Sequence, residues 1–368
     1  MANMTGVQAA PPVPATLSRF ARLPWRRIIQ VLLGIGIGLF VAVGSFRTLQ
    51  SNTYDAATWK SFIILGVAQG GIYALIALGY TLVYGVLRMI NFAHGEVFMF
   101  GAFGSYFFAT AYASSGFLNR NPVIALAIIF LVGMMVSCSI AMLLERVAYR
   151  PLRNAPRLVP LITAIGASLF LQNTAFGLFG PQARAYPVPD ILSGDQTWTI
   201  LGITMQRIQV VVILTAILAV ACLSLFVSRT KAGRSIRAVA QDREIASLMG
   251  IDVDRTIMLT FALGGLLAGV AGVQFGMTFG QVHPYIGFVP GIAAFTASVL
   301  GGIGSIAGAA LGGLILGLLE SVGPPLLLTG FHIPSPFQLK PVITFSVLVL
   351  VLIFRPGGIL GSDEPDKV

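Results

Sequence analysis

Residues 89–96 read M-I-N-F-A-H-G-E and place an amide, an imidazole and a carboxylate, Asn91, His94 and Glu96, within six positions. Such a set can hold a proton, pair with a cation or cap a helix end. The flanking residues make it costly: 61–87 before it and 97–114 after it are so apolar that both belong in lipid. An ionisable side chain at bilayer depth costs upward of about 2.5 kcal/mol, so each group requires a partner, an aqueous cavity or a membrane boundary. Which of these it has depends on the elements that carry the turn.

Composition identifies those elements. Of 368 residues, 56% are hydrophobic and 10% charged, against about 25% charged in a soluble domain. This is a polytopic membrane protein. Most of its 42 glycines lie inside apolar runs, where they let helix backbones approach closely. The net charge of +10 would suggest nucleic acid in a soluble protein; here it reports the excess of Lys and Arg on inside loops, and no nucleic-acid partner is expected. Cys138 and Cys222 both fall in apolar segments, which suits packing better than a disulfide framework or a metal site.

Along the chain, residues 1–27 are small, Pro-rich and then basic, and are expected to form a disordered cytoplasmic tail. The apolar run 28–46 is long enough to span and has no small-residue cleavage site after it. Residues 28–60 therefore read as an additional anchor helix with a periplasmic linker. Further apolar runs occupy 61–87, 97–114, 122–144, 158–179, 208–228, 257–282 and 340–354. The stretch 288–328 is too long for one span and is interrupted by L-G-G-I-G-S-I-A-G at 300–308. It predicts a short or re-entrant helix, a glycine turn and a full helix. The expected fold is an all-α transmembrane bundle of about nine or ten membrane-crossing or re-entrant helices, because a barrel would show short alternating strands.

With the N-terminus inside, 17 of the 23 basic residues fall on cytoplasmic segments, and Arg47, Lys60, Arg120, Arg184, Arg207 and Lys340 remain outside. Both termini, including a tail over 356–368, are then cytoplasmic. The turn at 89–96 falls on the cytoplasmic side. Asn91 is placed to cap the following helix, Glu96 lies near that helix's positive end, and His94 can hydrogen-bond either neighbour. Three readings stay open: a self-satisfied turn, a cytoplasmic gate or partner contact, and direct substrate binding. The last is the weakest for a turn at a boundary, since transport sites form near the midplane.

The largest inside loop, 229–256, contains a helix-like stretch at 235–249 with a partial apolar stripe through Ile236, Val239, Ala240, Ile245, Leu248 and Met249, stopped by Gly250. Glu244, Ala246 and Gly250 have the spacing E-x-A-x-x-x-G. A short amphipathic helix between two spans is what a membrane subunit would offer to a groove on a soluble partner. A solvated charged loop is the alternative.

Six stretches carry a resemblance: GIYALIALGYTLVYGVLRMINFAHGEVFMFGAF, ERVAYRPLR, LITAIGASLFLQN, AVAQDREIASLMGIDVDR, HPYIGF and AFTASVLGGIGSIAGAALGGLILGLLES. Together, over about 60–362, they resemble the H-type permease subunit of bacterial ABC importers for branched-chain amino acids. The first 55 or so residues look like an extension of that pattern. The resemblance implies an M-type permease partner, two ATP-binding subunits and a periplasmic solute-binding protein. It implies an inner-membrane permease domain over 61–355 and makes 235–254 the coupling helix, with Arg237, Ala240, Asp242, Glu244, Ala246, Leu248 and Gly250 as its contacts to an ATPase. The loop departs from the importer pattern at Ile245, and the downstream I-x-L-P is absent.

The chain's own chemistry agrees with a transport subunit. It contains no Gly-Lys dipeptide and hence no G-x-x-x-x-G-K-[ST] phosphate loop. No catalytic set, metal site or cofactor is expected on this chain; ATP and magnesium belong on the partner ATPases. A zwitterionic substrate needs donors for its carboxylate, acceptors for its ammonium and apolar walls. Gln69, Tyr73, Gln172 and Asn173, polar in apolar helices, are candidate pathway-lining residues, as are Thr296, Ser298 and Gly304 at the glycine-broken stretch; ordinary interhelical packing is the alternative for each. His283, Pro284 and Tyr285 fall on the outer side, and Glu320 is expected to pair with a neighbour or a backbone group. A secondary transporter would carry more mid-membrane carboxylates. A urea or short-chain amide permease shares the I-N-x-A-H-G-E turn and is the nearest competing reading.

Overall fold

The computed structural model describes residues 25–361, apart from 154, 157, 195, 201, 202 and 335. Nearly all of the expected N-terminal tail and the last part of the C-terminal tail lie outside the described residues. Long uninterrupted apolar sequence forces helix, because only helices satisfy every backbone group in lipid without a closed barrel. Twelve helices carry the architecture: α1 (Trp25–Gln50), α2 (Ala56–Leu87), α3 (His94–Ser114), α4 (Pro122–Leu144), α5 (Leu158–Phe179), α6 (Arg207–Arg229), α7 (Lys231–Gln241), α8 (Arg243–Leu248), α9 (Val253–Phe279), α10 (Phe288–Gly301), α11 (Ile306–Leu328) and α12 (Lys340–Phe354). Nine segments among the described residues are long and apolar enough to cross a membrane, and α10 is a shorter apolar helix. The chain is a multi-pass all-α membrane bundle. The expected break within 288–328 falls after Gly301.

The centre is an antiparallel pair, α2 against α11, brought together by small residues. Gly70 faces the α11 backbone at Leu314 and Gly317, and Gly313 faces Ala74. A second close pair joins α9 to α4, where Gly265 lies against the backbone at Ser137 and Cys138, and Gly269 against Gly133 and Met134. Without a hydrophobic force between helices in lipid, such approaches supply the packing. Helix α1 packs on the far end of α11, with Gly44 against Leu327 and Phe40 stacked on Phe331 at 4.9 Å, and its outer face is almost entirely exposed.

At one end of the bundle lie two short antiparallel pairings. β1 (Arg184–Ala185) pairs with β4 (Gln281–Val282), and β2 (Thr197–Ile200) with β3 (Ile203–Gln206). The opposite end carries Arg88, Arg150, Arg153 and the helices α7 and α8, and is the basic end. Helix α10 has 14 residues, about 21 Å at 1.5 Å per residue, too short for the ~30 Å hydrocarbon core. It starts inside the bundle and runs to the basic end. There it turns through Gly302 (φ 107) and Gly304 (φ 98), conformations that a Cβ would oppose. The C-terminal segment closes this turn: Ile359 N–H donates to Leu300 O at 2.8 Å and Leu360 N–H to Gly301 O at 2.9 Å.

Candidate functional site: a buried carboxylate pocket and the elbow beneath it

The turn at 89–96 does not sit at the surface. Asn91, His94 and Glu96 are each 1–2% exposed. After α2 ends at Leu87, residues 88–93 fold back into the bundle, so that α3 begins beside Gly79. Gly79 precedes the end of α2 by eight residues, about 12 Å along the helix axis. The turn is thus buried within the protein, which its reading as a loop between helix ends did not anticipate.

The His94 ring occupies the space where Gly79 lacks a side chain; a Cβ there would overlap Nε2 and lie 2.6 Å from Cε1. The ring meets Tyr80 edge-on at 5.0 Å between centroids. His94 Nε2 has no hydrogen-bond partner among the described residues, so the expected hydrogen bond to a neighbour is not made through that nitrogen. Asn91 does not cap α3. Its backbone carbonyl accepts from His94 N–H at 3.1 Å, while its side-chain Oδ1 accepts from the Tyr149 hydroxyl at 2.6 Å. Ala93 holds the N-cap position with no side-chain cap.

Glu96 lies in the first turn of α3. Its Oε1 accepts from Ser168 Oγ on α5 at 3.3 Å, and its Oε2 has no partner among the described residues. The N-terminus of α10 arrives at the same point. Gly287 packs on the Gly95 backbone, and a Cβ added to Gly287 would lie 3.0 Å from Glu96 Oε2. The carboxylate therefore stands between two helix N-termini, whose dipoles favour negative charge. It borders a pocket of about 200 Å³ whose polar rim is Glu96, Ser168 and Gln172 and whose walls are Tyr80, Phe92, Ile165, Leu169, Phe288 and Ile292. The cavity combines a bordering carboxylate, whose Oε2 is buried without a partner among the described residues, with apolar walls, a combination that suits an ammonium-bearing substrate with an aliphatic side chain.

Of the expected pathway residues, Gln172 borders this pocket and the others do not. Gln69 and Tyr73 face the other way, into a buried network around Glu320. Gln69 Nε2 and Tyr73 Oη both donate to Glu320 Oε2, at 2.9 and 2.7 Å, and Thr344 Oγ1 donates to Oε1. The network joins α2, α11 and α12, and Glu320 has the neighbours it was expected to have. Thr296 Oγ1 donates to Ile292 O within α10, and Ser298 Oγ ties α10 to Ala77 O of α2 at 3.0 Å. Asn173 bonds Leu169 O within α5, and Gly304 lies in the turn after α10. Ser168 was missed: one serine in an apolar helix carries no signal until its partner across 72 positions is known.

At the basic end, the single helix expected at 235–249 is two. Helix α7 is capped by Thr230, whose side chain accepts from Gly233 N–H at 2.9 Å. Helix α8 is capped by Asp242, whose Oδ1 accepts from Ile245 N–H at 2.9 Å. Asp242 takes an extended conformation between them and makes an elbow. Gly250 ends α8 with φ 81, the conformation a glycine stop supplies. Ile236, Val239 and Ala246 are buried, whereas Leu248 and Met249 are 86% and 77% exposed. Ala240 contacts α2, with its Cβ 3.9 Å from the position a Gly85 Cβ would take. Arg237 donates to Val227 O, and Glu244 is exposed. The elbow is fastened to the end of α2: Arg243 Nε donates to Val86 O at 2.8 Å, and Arg88 Nη2 donates to Ala240 O at 2.9 Å.

Comparison with known proteins places this arrangement. A family model described as the permease component of branched-chain amino acid transport systems matches residues 62–354. The chain is 43% identical over 309 residues to the high-affinity branched-chain amino acid transport system permease protein BraD of Pseudomonas aeruginosa, covering 83% of this chain and 97% of that one. It is 42% identical over 308 residues to the permease protein LivH of Escherichia coli K12, covering 82% and 96%. A probable LivH permease of Methanocaldococcus jannaschii is 30% identical over 302 residues, covering 81% and 91%. No solved structure gives a significant match. The matched region begins after α1, and it contains the pocket, the elbow and the connection between them. The chain belongs to the family of branched-chain amino acid transport system permease components.

Proposed function

We propose that this chain is the membrane subunit of an ATP-driven importer and forms half of the path for leucine, isoleucine and valine across the inner membrane. The observation that carries the reading is Glu96, a buried carboxylate with an unpartnered oxygen at the border of an apolar pocket inside the bundle. Glu96 receives the substrate ammonium, and the positive end of the α10 dipole faces its carboxylate. Phe92, Ile165, Leu169 and Ile292 enclose the branched side chain. Urea, which is neutral and has no aliphatic part, uses neither the charge nor the walls. The pocket's outer wall includes exposed residues, Ile165, Leu169 and Phe288 among them. A second, M-type permease closes the path there.

ATP and magnesium act on two separate cytoplasmic ATPase subunits. Their docking grooves take the elbow through the exposed Ile245, Leu248 and Met249, with Arg237, Ala240, Asp242, Glu244, Ala246 and Gly250 shaping it. Closure of the ATPases pushes the elbow, and the Arg88 and Arg243 bonds carry the push to α2. The Gly79–His94 contact carries it on to the start of α3, where Glu96 sits, in a rigid-body transition. The basic end is cytoplasmic in this scheme, supported by the 17 of 23 basic residues that fall on the segments read as inside from the sequence, and both termini are placed there. A periplasmic binding protein docks at the opposite end around His283, Pro284 and Tyr285. Residues 1–27 form the tail, 28–60 the extra helix and linker, 61–355 the permease domain and 356–368 the C-terminal tail.

The test is uptake of radiolabelled leucine and of urea into proteoliposomes holding the chain with its cognate permease, ATPases and binding protein. ATP-dependent leucine accumulation that disappears in Leu248→Asp supports the reading. Urea uptake without leucine uptake, or accumulation driven by an ion gradient without ATP, contradicts it.

A further inference from the structure

Beneath the elbow lies a second cavity, of about 440 Å³, separate from the pocket at Glu96. Arg88, Arg153 and Arg243 line it, together with Met89, Leu158 and Leu161. The charge around it does not balance. Arg153 pairs with Glu145 and Asp254, and Arg150 also pairs with Asp254. Arg88 and Arg243 meet only backbone carbonyls and pair with no carboxylate among the described residues. Among the described residues lining the cavity, Arg153 is ion-paired and Arg88 and Arg243 are not. Arg153 Nε is buried with no hydrogen-bond partner. Burial and the neighbouring Arg153 and Arg88 charges lower the pKa of Arg243 from its ordinary value. Unrelieved like charges at a half-buried site cost stability unless an anion joins them.

We propose that this cavity binds a phosphate group, held by Arg88, Arg153 and Arg243 against the end of α2. Planar guanidinium groups suit tetrahedral oxyanions, which accept several donors at once. Two sources supply such a group: the headgroup of an acidic phospholipid, and soluble phosphate. The apolar side of the cavity continues onto the exposed Leu158 and Ile162 of α5, a surface that an acyl chain can follow from the bilayer. Occupancy joins α2 to the elbow through a third contact beside the two arginine bonds, so it stiffens the connection between them.

The full-length chain in detergent is titrated with phosphatidylglycerol, with phosphatidylcholine and with inorganic phosphate, and read by native mass spectrometry and thermal melting. Retention of phosphatidylglycerol over phosphatidylcholine on the order of tenfold is expected, as is its loss in Arg243→Gln. It is also lost in Met89→Glu, which keeps all three arginines and puts a carboxylate in the cavity; a melting curve shows that each variant is folded. Phosphatidylglycerol retention that millimolar phosphate does not reverse assigns the lipid source. Phosphate that raises the melting temperature without any lipid preference, an effect absent in both variants, assigns the soluble source. No binding of either, or binding unchanged in the two folded variants, overturns the proposal.

Discussion

Arg88 and Arg243 each hold the backbone beside the other: Arg88 Nη2 donates to Ala240 O at 2.9 Å, and Arg243 Nε donates to Val86 O at 2.8 Å. The pair fastens the elbow between α7 and α8 to the last turn of α2. Arg88 does this from a left-handed backbone, φ 54, which a non-glycine residue adopts at a cost. If force passes through this connection, loosening it uncouples ATP hydrolysis from transport before it unfolds the chain. Arg88→Gly, which suits the left-handed backbone, and Arg243→Gln are both expected to melt within a few degrees of wild type. Substrate-stimulated ATPase activity of the assembled transporter is expected to fall about two- to thirtyfold, the range that 0.5–2 kcal/mol of coupling gives. Stimulation equal to wild type in both variants removes this route.

The contact between Gly79 and His94 leaves no room for a methyl group. Gly79→Ala is expected to destabilise the chain by about 1–3 kcal/mol through overpacking and to lower uptake with it. His94→Ala in the same chain makes the space and restores the melting temperature. A double variant no more stable than Gly79→Ala would show that the strain lies elsewhere.

Tyr149 donates to Asn91 Oδ1 at 2.6 Å where both are buried. Tyr149→Phe leaves that oxygen unsatisfied at a cost of about 1–3 kcal/mol. The expected outcome is a lower melting temperature with the KM for leucine unchanged, measured in the reconstituted transporter.

Glu320 accepts from Gln69, Tyr73 and Thr344 and lies outside the pocket. Glu320→Ala leaves Tyr73 Oη without an acceptor, while Gln69 Nε2 keeps Tyr73 Oη and Thr344 Oγ1 keeps Lys340 O; a loss of about 1–3 kcal/mol for the unsatisfied group is expected to appear as a lower yield of folded protein. Uptake per folded molecule is expected to stay near wild type. A raised KM in the folded fraction would return Gln69 and Tyr73 to the substrate path.

The bundle was legible because apolar length alone forces spanning helices, and the short α10 because L-G-G-I-G-S breaks an apolar run too long for one crossing. The burial of 89–96 was not legible. Nothing in M-I-N-F-A-H-G-E shows that residues 88–93 fold inward to start α3 beside Gly79; that depends on a missing side chain on another helix. Asn91 has the residue type of a cap, but Tyr149, 58 positions away, takes its side chain. Gln69 and Tyr73 read either as pathway residues or as interhelical packing because polarity in an apolar helix does not say which neighbour it faces; Glu320 is the neighbour they meet. The elbow at Asp242 was within reach, since an aspartate followed by R-E-I is an N-terminal signal that the apolar stripe obscured.

The central claim is that Glu96 receives the substrate ammonium. Its most direct test is leucine uptake by the Glu96→Gln transporter in proteoliposomes, beside its basal ATPase activity and melting temperature. Removing one charge of a buried pair costs about 2–5 kcal/mol, so leucine uptake at subsaturating concentration is predicted to fall thirtyfold or more while basal ATPase activity and melting persist. Leucine uptake equal to wild type in a folded Glu96→Gln transporter would contradict the account.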